Sequence, residues 1–183
     1  MIYYGGNEMA SSFRTVRNNT VKIAEDIPED KYGFRAAPDC RTIGQTLVHI
    51  ALGPGFQLHV QTNKVTDLKT VNFAELLEKF GAEEAKPRTK AEIVAMLKSE
   101  GEKYVSYLES VSDAFLAEQV AMPPGTDQAT KTRFEMLLGP KEHEMHHRAQ
   151  LMVLQRMIGQ VPHLTRQMQE RMARMQAGAP QAR

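Results

Sequence analysis

The chain holds a single cysteine, Cys40, no tryptophan, and a net charge of only +1 across 183 residues. One thiol excludes an intramolecular disulfide framework and a cysteine-rich zinc site, and it suits a reducing compartment. The near balance of 23 Lys+Arg against 22 Asp+Glu argues against a chain-wide electrostatic clamp on nucleic acid. No apolar run approaches the roughly 18 residues that span a bilayer. The N-terminus lacks a basic region followed by an apolar stretch, so no signal peptide is expected either. The expected location is the cytoplasm, with neither nucleic acid nor membrane as partner. Alternating apolar–polar strands and an Asn-Gly hairpin signal are missing too, which turns the reading away from a sheet.

What is present is helical. Hydrophobic residues make up 42% and charged residues 25%, ordinary proportions for one globular domain or one domain with a terminal appendage. Eleven methionines take over packing that aromatic rings often do. Phe13, Val16, Thr20 and Ile23 recur at helical steps, predicting a first helix over 7–26 that Ile27-Pro28 stops. Thr42-Ile43-Gly44-Gln45 fits a capping box and opens a second helix, which Gly53-Pro54-Gly55 bends or breaks because Pro54 has no amide hydrogen. A short helix starts at Asn72 and is expected to end at Gly81. Thr89-Lys90-Ala91-Glu92 caps a third long helix running to Val111, and 112–120 suggests a brief helical turn before a loop. The fourth long helix includes Pro140 to Ile158, with Pro140 favourable in a first turn; an earlier start near Thr132 is the alternative. Four long amphipathic helices with extended connections imply an all-α bundle, placed at 1–162.

The tail, 163–183, reads as an additional amphipathic helix. Leu164, Met168, Met172 and Met175 share one face, with Arg166, Arg171 and Arg174 elsewhere. Four arginines and one glutamate give the tail +3 and leave −2 on the remaining residues. Such a helix can bind acidic partners or membranes. A subunit contact or a flap on the protein's own bundle is favoured here.

Glu142-His143-Glu144-Met145-His146-His147-Arg148 is the densest chemical signal. His143 and His147 lie one helical turn apart on the face that carries Met136, Leu151 and Leu154, a spacing at which two imidazoles grip one metal ion. His146, rotated by about 100° from His147, competes for His143. The stretch also spells the H-E-x-x-H metalloprotease helix, with Glu144 as general base. Gln150 and Val153 replace the downstream glycine and histidine of the metzincin extension, so peptidase activity is disfavoured. Glu144 precedes Arg148 by four residues and is expected to form a surface ion pair with it. His49 on the second helix is the best third ligand. His59 is the competing choice, and His163 lies in the tail.

Phe34-Arg35, Arg41-Thr42-Ile43-Gly44-Gln45-Thr46-Leu47-Val48-His49-Ile50-Ala51 and His143-Glu144-Met145-His146-His147-Arg148-Ala149-Gln150-Leu151 together resemble the DinB/YfiT-like superfamily. The likeness continues through Leu154 to Gly159 and on to Val161-Pro162, and so spans most of 7–162. It implies an up-down-down-up four-helix bundle with an additional C-terminal helix here, and a divalent metal held by His49, His143 and His147. It also implies a homodimer, zinc or nickel as the metal, and relatives that are thiol S-transferases using bacillithiol, mycothiol or glutathione. The chain departs from the family at Ala149, where glycine is frequent, and in the Met/Arg tail.

Two functions follow from that site. In the first, a three-histidine metalloenzyme, a transferase or hydrolase, lowers the pKa of a bound low-molecular-weight thiol or water and presents the anion to a small electrophile. Tyr32, Glu144 and Cys40 lie within the relevant segments, but packing, an ion pair and an inert small side chain are their favoured roles. In the second, the metal stabilises a binding or interaction module without turnover. Near-neutral charge and the lack of a recognition-helix motif disfavour DNA binding.

Overall fold

A computed structural model describes residues 4–178. Several of its helices begin where the sequence offers a side chain to the first unpaired amides. Thr42, Thr89 and Thr132 each accept from the backbone amide three residues on, while Gln45, Glu92 and Glu135 reach back to the cap's own amide. The order is α1 (Gly6–Asp26), α2 (Ile43–Leu52), α3 (Pro54–Thr62), α4 (Phe73–Glu84), α5 (Lys90–Ser110), α6 (Asp113–Leu116), α7 (Arg133–Met157) and α8 (His163–Gly178). Between α6 and α7, the strands β1 (Gln119–Ala121) and β2 (Thr130–Thr132) pair antiparallel.

Three local expectations change. Among the described residues the expected absence of strands fails at this hairpin, whose three-residue strands are too short to display an alternating pattern. The fourth long helix takes the earlier start, since the Thr132 box places Pro140 within α7 rather than in its first turn. The short helix runs past Gly81 to Glu84, because Gly81 keeps helical geometry there.

Two apolar clusters fix the topology. One joins the end of α1 (Ile23, Ile27) to the starts of α2 (Ile43, Leu47) and α5 (Ile93, Leu97) and the end of α7 (Leu151, Leu154). The other joins the start of α1 (Met9, Phe13) to the end of α5 (Tyr104, Leu108) and the start of α7 (Leu137). Hence α1 and α7 run one way, α2–α3 and α5 the other: an up-down-down-up bundle with α4 on the long crossover between its two parallel members. At Gly159, φ of +83° closes α7 in a Schellman turn, with Gln160 N–H on the Gln155 carbonyl at 2.8 Å and Gly159 N–H on Arg156 at 3.0 Å.

The tail forms the expected extra helix through Gly178; residues 179–183 lie outside the described residues. Its first turn docks on α1, where Arg166 pairs with Asp26 and the buried His163 meets Asn19. Met168, Met172 and Met175 are exposed. No helix among the described residues is long and apolar enough to cross a membrane.

Candidate metal centre

Pro54 shapes the site before any histidine does. Lacking an amide hydrogen, it ends α2 just past His49 and sets α3 off from it. Gly53, at that junction, leaves room for the imidazole arriving from α7: a Cβ there would stand 2.9 Å from His143 Nδ1. His143 and His147, one turn apart on α7, face His49 at the end of α2. One ring nitrogen from each of the three comes within 4.8 Å of the others, and the Nε2 atoms of His49 and His143 are 3.0 Å apart.

Neighbouring side chains, one from the crossover and one from α7 itself, orient two of the rings. Glu84, in the last turn of α4, meets His49 Nδ1 at 3.0 Å and is held in turn by Arg41. Gln150 Oε1 accepts from His147 Nδ1 at 2.8 Å, while the Gln150 amide faces His146 Nε2 at 3.1 Å. A carboxylate or amide oxygen on the far nitrogen of an imidazole is the arrangement that fixes the tautomer of a metal-binding histidine. For His49 it leaves Nε2 toward the centre.

Burial favours the neutral form of all three rings. It pushes His143 down to about 4, with the neighbouring histidines and Arg41 adding to the effect. His49 and His147 are lowered by burial first as well, opposed at His49 by Glu84 and at His147 by Gln150. Neutral imidazoles are the form that binds metal. Two nitrogens 3.0 Å apart compare with the separation of about 3.3 Å across a tetrahedral ion with bonds of about 2.0–2.1 Å. In geometry and donor type, the residues fit a divalent metal ion.

The other histidines are not part of this group, although the His146 ring packs edge-on 4.9 Å from that of His147. His146 is exposed beside Gln150, His59 is exposed on α3, and His163 is buried against α1. Tyr32 gives its hydroxyl to the Ala24 carbonyl at 2.7 Å and belongs to the core. Glu144 corrects the expected surface pair with Arg148. It is 1% exposed and its carboxylate grips Arg17 on α1, 2.9 Å from Nη2. Held there, it is neither a solvated ion nor the free general base that H-E-x-x-H would require.

A cleft of about 760 Å³ opens beside His147. Arg41, Cys40 and Glu84 line it together with Val153, Leu154 and Met157 of α7. That volume lies within the range that takes small molecules, roughly 300–1,000 Å³. A smaller cavity of about 170 Å³ lies against His49 and His143 under Phe56, Leu77 and Phe80. Glu84 and Arg17 carry no short-range sequence signal as partners of the histidines, whereas Gln150 lies three residues after His147 on the same helix. The signal nearest Glu84 is the capped helix at Asn72, which runs past Gly81 to reach it.

An up-down-down-up bundle with three imidazoles gathered between its second and fourth helices defines the class of protein. The chain belongs to the DinB family, whose sequence model matches residues 2–179. It is 24% identical over 153 residues to the uncharacterized protein YjoA of Bacillus subtilis, covering 84% of this chain and 90% of YjoA. The crystal structure of that DinB-like protein superposes with a TM-score of 0.62 at 23% identity, over 84% of this chain and 94% of the other. A DinB-like protein from Bacillus cereus gives 0.64 at 18% identity, over 85% and 93%. YfiT from Bacillus subtilis, described as a probable metal-dependent hydrolase with an unusual four-helix bundle topology, gives 0.65 at 13%, over 87% and 91%. At these identities the solved structures establish the shared fold.

Proposed function

We propose that the chain is a divalent-metal-dependent enzyme in which His49, His143 and His147 hold one zinc or nickel ion beside the cleft, to activate a thiol or water. The observation that carries this reading is the convergence of three half-buried imidazoles next to an open cavity. When bound, the ion supplies a positive centre that lowers the pKa of a thiol or water brought to it. The chain's own residues do the rest. Glu84 and Gln150 orient two ligand rings, Arg41 sets a positive charge at the cleft wall, and Val153, Leu154 and Met157 shelter the organic part of an electrophile from water.

Thiol S-transfer is the preferred chemistry, with a low-molecular-weight thiol as co-substrate and a homodimer as the working form in the cytoplasm. The exposed Cys40 is in keeping with a reducing setting. Hydrolysis is the second reading, favoured by the description of YfiT. A non-catalytic metal-stabilised module is the alternative, and the open cleft counts against it. The test is a screen of the metal-loaded protein against small electrophiles with bacillithiol, mycothiol and glutathione. Metal-dependent conjugation with one thiol is expected; turnover by water alone would move the assignment to a hydrolase.

A further inference from the structure

Arg17, on α1, is 3% exposed and reaches all three other long helices of the bundle. Its Nη1 donates to the Leu97 carbonyl of α5 at 2.8 Å and its Nη2 to the Ile50 carbonyl of α2 at 3.2 Å. Its Nε lies 3.1 and 3.0 Å from the two carboxylate oxygens of Glu144 on α7. The Ile50 carbonyl has no partner four residues on, because Pro54 lacks an amide hydrogen, and besides Arg17 it accepts a 3.3 Å bond from Gly53 N–H. On α5, Gly101 leaves the channel through which the side chain runs: a Cβ there would stand 2.8 Å from Arg17 Cγ.

These attachment points coincide with the ligands. Ile50 follows His49, and Glu144 follows His143 and precedes His147 by three residues. One planar, five-donor guanidinium therefore grips α2 and α7 immediately behind the residues that face each other across the site. A buried ion pair is a weak source of net stability, since apolar residues of similar volume often replace it without loss. Its fixed geometry, by contrast, specifies how two helices sit relative to one another. We infer that Arg17 and Glu144 are positioning residues that set the spacing of His49 against His143 and His147, and with it the affinity and geometry of the metal centre. The inference rests on the metal-site reading above.

The test compares zinc affinity, by chelator competition, and the cobalt(II) absorption spectrum in the full-length protein and three variants. Arg17→Met/Glu144→Met removes both charges together, so neither is left buried alone. Gly101→Ala keeps both charges and displaces the arginine. Arg133→Met is the control: Arg133 is equally buried and paired with Glu118 and Gln61, but sits ten residues before His143 on α7. The double variant and Gly101→Ala are expected to bind zinc about 10–100-fold more weakly and to show an altered cobalt spectrum while remaining helical. Arg133→Met is expected to keep both affinity and spectrum whatever stability it loses. If the double variant does not fold, Gly101→Ala decides. Wild-type affinity and spectrum in a folded double variant or in Gly101→Ala would overturn the positioning role and leave the metal centre standing. Failure of the wild-type protein to bind either ion would overturn the metal-site reading itself.

Discussion

His49 and Glu84 are joined across the bundle's long crossover: the carboxylate at the end of α4 lies 3.0 Å from Nδ1 of the imidazole at the end of α2. That contact turns the connection between two parallel helices into part of the site. It selects the tautomer that leaves Nε2 facing His143. Glu84→Gln retains an acceptor and is expected to weaken zinc binding only slightly, whereas Glu84→Ala should weaken it about 10–100-fold. Competition titration checks both. Equal affinity for Glu84→Ala and wild type would remove Glu84 from the account.

Gly53→Ala separates stability from metal binding. Gly53 has helical torsions, so alanine gains up to about 1 kcal/mol in helix preference. Its Cβ, however, would stand 2.9 Å from His143 Nδ1. The expected result is a metal-free protein that melts no lower than wild type yet binds zinc about tenfold more weakly. A lower melting point with unchanged zinc affinity would contradict the role given to Gly53.

Acid should destabilise the metal-free protein before its carboxylates titrate. Burial holds His143 at about 4, against an ordinary value of 6.5, and also lowers His49, His147 and His163. Below pH 6.5 the unfolded chain takes up protons that the folded protein refuses, so stability falls as pH drops toward about 4 and is level with respect to these groups above 6.5. Thermal melts of chelator-treated protein at pH 7.5, about 5.5 and about 4.5 check the slope. Melting points that stay constant or rise on acidification would contradict the burial argument.

The exposed methionine stripe on α8 should be dispensable for the bundle. Met168, Met172 and Met175 are 59%, 52% and 61% exposed. Replacing all three with glutamine is expected to change unfolding free energy by no more than about 0.5 kcal/mol per site. Zinc affinity should stay at the wild-type value. A cooperative loss of stability well beyond that in chemical denaturation would mean that the stripe is covered.

The residues that declared themselves in the sequence act over short range. Thr42 with Gln45, and Thr132 with Glu135, are capping pairs whose partners are three residues apart. His143 and His147 share a face because they are one turn apart, and that same regularity made the four-helix class legible. A place on a capped helix makes His49 the best third ligand, and the family resemblance narrows the alternatives to it. Gln150 is three residues from the His147 it orients, but the other partners act over long range: Glu84 is 35 residues from His49, and Glu144 is 127 from Arg17. Periodicity carries no signal at such separations. Glu144 shows the cost, since spacing alone offered Arg148 as a partner, while packing buries its carboxylate against α1.

The central claim is that His49, His143 and His147 bind one divalent ion between α2 and α7. Elemental analysis of purified protein, beside His49→Ala and His143→Ala, tests it most directly. The account predicts about one zinc or nickel per chain in the wild type and sharply reduced retention in each variant. Full occupancy in both variants, with the fold intact by circular dichroism, would contradict it.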